Sequence, residues 1–133
     1  MGESHAHSIL VRHLVDWVAT QYLAGHKEGI QVDSLTSAIK PNPVGGYVPD
    51  LYVSPNMGRL IIGEAKTVRD FETKHSQDQI TTFLRKCSET DGAVFVLAIP
   101  WTRARFARSM LKRICNQNGI LNVKMDVLDQ LPE

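Results

Sequence analysis

Apolar residues at Leu10, Val11, Leu14, Trp17, Val18 and Tyr22 recur every three or four positions, which predicts a helix over 5–24 ended by Gly25. The period then changes. Gly29-Ile30-Gln31-Val32-Asp33-Ser34-Leu35 reads as a short strand, and Lys40-Pro41-Asn42-Pro43-Val44-Gly45-Gly46 reads as a loop near the substrate. Tyr47 to Val53 and Leu60 to Lys66 read as two strands of a hairpin, with turn residues Ser54 to Arg59 between them. A loop of Pro55 to Arg59 pairs Ser54 with Leu60, Val53 with Ile61, Leu51 with Gly63 and Asp50 with Glu64. A connecting segment carrying Asp70 and Glu72 leads into a helix from Ser76 to Glu89, with Ser76 as its N-cap. Ala93 to Ile99 is apolar throughout, as a fully buried strand must be. A helix over 102–117 stops at Asn118-Gly119, and Ile120 to Leu128 forms a last strand. The predicted class is α/β, a mixed central sheet flanked by helices in the order α-β-β-β-α-β-α-β.

Strand side chains alternate, so Glu64 and Lys66 point the same way, and the hairpin register sets Asp50 opposite Glu64. Two carboxylates facing each other on paired strands repel unless a cation lies between them. Hard divalent cations take carboxylate oxygens and complete their shells with water and phosphate oxygens. A lysine beside them can hold or deprotonate the attacking water, or screen charge growing on phosphorus. The plainer reading is an exposed hairpin with a cross-strand Glu–Lys pair worth a few tenths of a kcal/mol. Against it, the neighbours Leu60, Ile61, Ile62 and Ala65 are apolar, and buried charges need partners or a function.

Pro49-Asp50 followed by Glu64-Ala65-Lys66 resembles the PD-(D/E)XK nuclease superfamily, whose fold is restriction-endonuclease-like. The run Ser76-Gln77-Asp78-Gln79-Ile80-Thr81-Thr82-Phe83-Leu84 looks like the helix after the motif strand in small single-domain, resolvase-like or VRR-type members, where a glutamine faces the site. The motif match covers residues 47–85, and beyond it only the order of elements agrees, as that core plus one further αβ unit. The resemblance implies a Mg²⁺- or Mn²⁺-dependent endonuclease acting on nucleic acid, DNA first. The metal-binding acids fall on Asp50 and Glu64, with the carbonyl of Ala65. Lys66 and Gln79 complete the catalytic set, and Gln77 is the second choice for the glutamine. The family often adds an acid from the first helix, a region that here holds Glu3 and His7. The latter also reads as a core histidine.

At 133 residues with 43% hydrophobic content the chain is expected to form one domain around one core. No apolar run is long enough to span a membrane, no secretory signal is read, and Cys87 and Cys115 read as reduced core residues of a cytoplasmic protein. A net charge of +1 argues against strong non-specific binding to nucleic acid. The charge is uneven, however: residues 101–113 hold Arg103, Arg105, Arg108, Lys112 and Arg113 and no acid. A solvated helix face explains this as well as phosphate contact does, with Arg103 and Arg105 near the helix start the better phosphate candidates. So small a domain covers little nucleic acid, so a homodimer or a partner protein is expected. The competing functional class is a non-cleaving module that binds nucleic acid or protein on a nuclease fold. A third is an unrelated α/β interaction protein.

Overall fold

In a computed structural model, described for residues 5–34, 37 and 39–129, five strands form one mixed sheet in the order β1-β2-β3-β4-β5. They are β1 (Ile30–Val32), β2 (Leu51–Val53), β3 (Ile61–Ala65), β4 (Val94–Ala98) and β5 (Lys124–Leu128). β1, β2 and β3 run antiparallel in turn, whereas β3–β4 and β4–β5 are parallel. The hairpin register is the one expected, with Leu51 opposite Gly63 and Val53 opposite Ile61.

Helix α1 (His5–Tyr22) covers one face of the sheet; α3 (Lys74–Ser88) and α4 (Ala104–Asn118) cover the other. Leu10, Val11, Leu14 and Val18 of α1 pack on Leu51, Val53, Ile61 and Val96, so the helical stripe meets alternate residues of three strands. On the opposite face Ile62, Phe95 and Leu97 meet Ile80, Phe83 and Leu84 of α3 and Ala107, Met110 and Leu111 of α4. β3 and β4 are buried on both faces, as central parallel strands between helical layers are.

The element order departs from the expected one by a short helix, α2 (Val68–Phe71), in what was read as a connecting segment, and by two 3₁₀ turns at Pro55–Met57 and Trp101–Arg103. One apolar residue, Phe71, anchors α2 in the core, and a single residue leaves no period to read. The N-cap of α3 is Thr73, whose hydroxyl accepts the N–H of Ser76; Ser76 itself is buried in the first turn. β1, β2 and β5 are shorter than expected. The expected strand residue Leu35 and the candidate Glu3 lie outside the described residues. Gly119, at φ 64°, ends α4 as a left-handed C-cap. No helix among the described residues is long and apolar enough to cross a membrane.

Candidate active site

Antiparallel β2 begins where β3 ends, so Asp50, just before β2, meets Glu64 and Ala65 at the C-terminal end of β3. The backbone joins the two acids. Glu64 Oε1 accepts the N–H of Asp50 at 3.0 Å, and Asp50 Oδ2 accepts the N–H of Ala65 at 2.9 Å. Asp50 is 8% exposed and Glu64 2%. Each carboxylate therefore has a fixed position on rigid strand backbone.

Alternation from Ile62 turns Glu64 towards the α3 face, and Lys66, one step beyond β3, turns with it. The Lys66 ammonium lies 3.2 Å from Glu64 Oε2 and donates to Gln79 Oε1 at 2.6 Å. The Lys66 amide bonds the carbonyl of Ala98 at 3.0 Å, which ties the motif to the end of β4. From the other face His7 of α1 brings Nε2 to 3.2 Å from Asp50 Oδ2. Asp50, Glu64, Ala65, Lys66, Gln79 and His7 thus converge, from four parts of the chain.

Burial first and the nearby charge of Asp50 second raise the pKa of Glu64, and the Lys66 ammonium and the Asp50 amide lower it by less, so that it stands at about 8. A divalent cation between the acids would reverse that balance. Among the described residues no group of three or more histidine, cysteine, aspartate or glutamate side chains is arranged to hold a metal ion. Mg²⁺ needs fewer, since it is held by one or two carboxylates and keeps several waters. Two buried carboxylates brought together at one strand end, with the backbone of Ala65 beside them, suit such an ion, with Asp50, Glu64 and Ala65 as the donors. The imidazole so close to Asp50 had only the early apolar arc of α1 to announce it, and that pattern reads more readily as a core position.

Other candidates lie apart. Gln77 turns back to donate to the carbonyl of Glu72 at the start of α3, which leaves Gln79 as the glutamine of the cluster. Arg103 pairs with Glu72, and its guanidinium stacks on the Phe106 ring with the carbon 4.5 Å from the centroid. Arg105 is exposed. A cleft of 590 Å³ between α1 and β5 includes Asp16, Asp126 and Asp129 in its lining, but each is already engaged, by Lys27, Tyr22 and Arg108 respectively. Compared with protein-family models, with curated proteins and with solved structures, the chain matches none.

Proposed function

We propose that the chain is a metal-dependent endonuclease of the PD-(D/E)XK type, hydrolysing phosphodiester bonds of nucleic acid, DNA in the first place. The observation that carries this reading is the meeting of Asp50, Glu64 and Lys66 at one strand end, with Gln79 holding the lysine. A purely structural hairpin has no use for two buried carboxylates held side by side, one by the Asp50 amide and the other by the Ala65 amide, because burying charge costs several kcal/mol unless it is compensated.

In this mechanism Asp50, Glu64 and the backbone of Ala65 would hold Mg²⁺ or Mn²⁺. When bound, the ion neutralises the scissile phosphate and lowers the pKa of a bound water. The residues then divide the work. Lys66 orients the attacking water and screens negative charge gathering on the phosphoryl oxygens. Gln79 accepts from the ammonium and keeps it beside Glu64 rather than in solvent. His7 supports Asp50 from the outer side. The water oxygen bonds to phosphorus as its proton passes to solvent, the bond from phosphorus to the sugar oxygen breaks, and that leaving oxygen takes a proton from solvent.

The two buried free cysteines, Cys87 and Cys115, favour a reducing, cytoplasmic setting, and the size of the domain favours a homodimer or a partner protein on the substrate. The test is cleavage of single-stranded, branched and linear duplex DNA with Mg²⁺ or Mn²⁺, by the parent and by Asp50→Ala. Cleavage that needs metal and Asp50 supports the proposal. Asp50-dependent metal binding with no cleavage of any substrate in the parent would leave the non-cleaving binding module instead.

A further inference from the structure

Six large hydrophobic side chains stand exposed among the described residues: Ile39, Val48, Met57, Val68, Trp101 and Leu121. Three of them sit at one end of the sheet, the end with the carboxylates. Val48 lies two residues before Asp50, Val68 two residues after Lys66, and Trp101 three residues beyond the end of β4, whose Ala98 carbonyl bonds the Lys66 amide. Trp101 is 60% exposed and is the one aromatic among the six.

Its backbone is not loose. Pro100 precedes it with φ −54°, the Arg103 amide closes the 3₁₀ turn on the Pro100 carbonyl at 2.9 Å, and the Ala104 amide caps it on the Trp101 carbonyl. Arg103 in the same turn is clamped by Glu72 and by the Phe106 ring, which itself packs on Phe71. A rigid turn thus presents a bare indole to solvent. Charge around it is lopsided as well. The nearby exposed acids are engaged, Asp70 by the Thr67 hydroxyl, Glu72 by Arg103 and Asp78 by Lys74. Arg69 and Arg105 are exposed and pair with no carboxylate among the described residues.

We infer that Trp101 is a stacking platform for an unpaired base beside the carboxylate site, so that the substrate is a single-stranded or locally unpaired nucleic acid. This rests on the nuclease reading for its site and adds the substrate class. Bases in a duplex hide their faces in the stack, whereas an unpaired base can lie on an indole while arginines meet its phosphates. Arg69 and Arg105 supply the positive charge this needs. A second copy of the chain covering Trp101 fits the surface less well, because two such rims would bring like charges together.

The test uses the full chain without divalent metal, so that nothing is cut, titrated with a thymidine oligonucleotide and with a duplex of equal length while tryptophan fluorescence is followed. Trp17, edge-on to Tyr22 with centroids 5.9 Å apart, is the other tryptophan and an internal reference. The expected result is quenching by the single strand, binding weakened roughly tenfold or more in Trp101→Ala, and substantial recovery in Trp101→Phe, with duplex binding unchanged by either. Trp101→Ala binding the oligonucleotide as tightly as the parent overturns the inference, and so does a parent that binds no oligonucleotide. Self-association in sedimentation that disappears with Trp101→Ala overturns it in favour of a second copy. Cleavage assays with Mn²⁺ separate the two readings. A parent that cuts, with Trp101→Ala indifferent on single strands, sinks the platform and leaves the nuclease. Trp101-dependent binding without cleavage sinks the nuclease and leaves the platform.

Discussion

The Lys66 ammonium lies 2.6 Å from the side-chain oxygen of Gln79, although the first leaves the end of β3 and the second sits in the second turn of α3. A charge-assisted hydrogen bond of this kind fixes a long flexible side chain that solvent would otherwise share. Gln79 is therefore a positioning residue. Gln79→Ala is expected to lower kcat by about one to two orders of magnitude with metal affinity nearly unchanged, whereas Gln79→Glu retains the acceptor and keeps more of the rate. Metal affinity by calorimetry beside kcat distinguishes this from general loss of structure. A parallel fall in both would remove the positioning role.

Removing the acids acts differently from removing the lysine. Asp50→Asn and Glu64→Gln each abolish one charge of the metal pair and are expected to reduce both divalent-ion affinity and cleavage, the latter by about two to four orders of magnitude. Lys66→Ala is expected to lose comparable rate while keeping the ion, and Lys66→Arg to restore little of it, because a planar guanidinium does not occupy the place of a compact ammonium. The check is Mn²⁺ binding followed by calorimetry alongside turnover. Undiminished ion affinity in both acid variants would refute the metal assignment.

A carboxyl group whose folded pKa lies above its unfolded value keeps its proton longer in the native state. For Glu64, held at about 8 against 4.5 by burial and by the charge of Asp50, the associated stability is whole at acid pH and is lost as pH climbs through the folded value. Metal-free protein should accordingly lose thermal stability from about pH 5 to about pH 8, by on the order of a few kcal/mol at most, and flatten above that as far as this group is concerned. The groups facing Glu64 are Asp50 and Lys66, with His7 on the far side of Asp50. Glu64→Gln should remove the slope, and Asp50→Asn should move it to lower pH by removing one of its causes. Added Mg²⁺ should stabilise more at pH 8 than at pH 6, since binding must displace the proton. Thermal unfolding with and without chelator reads all of these; an unchanged slope in Glu64→Gln would assign the effect elsewhere.

Much of this arrangement was legible in the chain. The hairpin register came from the turn residues Pro55 to Arg59, and alternation supports it, because a slip by one residue would have turned Ile61 and Leu51 out of the core beneath α1. The apolar run of β4 and the Gly119 stop were equally plain. What stayed hidden had no periodic signature. α2 depends on one buried phenylalanine, and the α3 cap fell on Thr73 rather than Ser76 because the helix starts at Lys74, six residues before Ile80 opens its apolar stripe. Arg103 read as a phosphate contact because Glu72, 31 residues away in sequence, is brought to it only by the tertiary fold. Asp50 was expected to face Glu64 directly across the hairpin. The register found is consistent with that, and what the sequence did not announce is how the acids are held, Glu64 by the Asp50 amide and Asp50 by the Ala65 amide.

The site's geometry also depends on how close α1 can come to the sheet, and one glycine sets that distance. A Cβ placed on Gly63 would stand 3.1 Å from Leu14 Cδ2 and 3.1 Å from Leu51 Cβ. Leu51 Cβ is held by strand backbone and cannot retreat, so Leu14, fully buried on α1, must give way. Gly63→Ala gains about 0.4–1 kcal/mol from a stiffer unfolded chain but loses about 1–3 kcal/mol to overpacking, so the variant is expected to be less stable. The displacement is carried by α1, the helix that bears His7, so the 3.2 Å approach of its Nε2 to Asp50 should loosen as well. Leu14→Ala alone leaves a cavity and costs about 2–5 kcal/mol. Combined, the two changes share one space, because the new methyl fills part of what the leucine vacated. Urea unfolding of the two single variants and the double should therefore give a double variant more stable than the sum of the separate losses by about 0.5–3 kcal/mol. Strict additivity would mean that Gly63 and Leu14 do not set the helix-to-sheet distance.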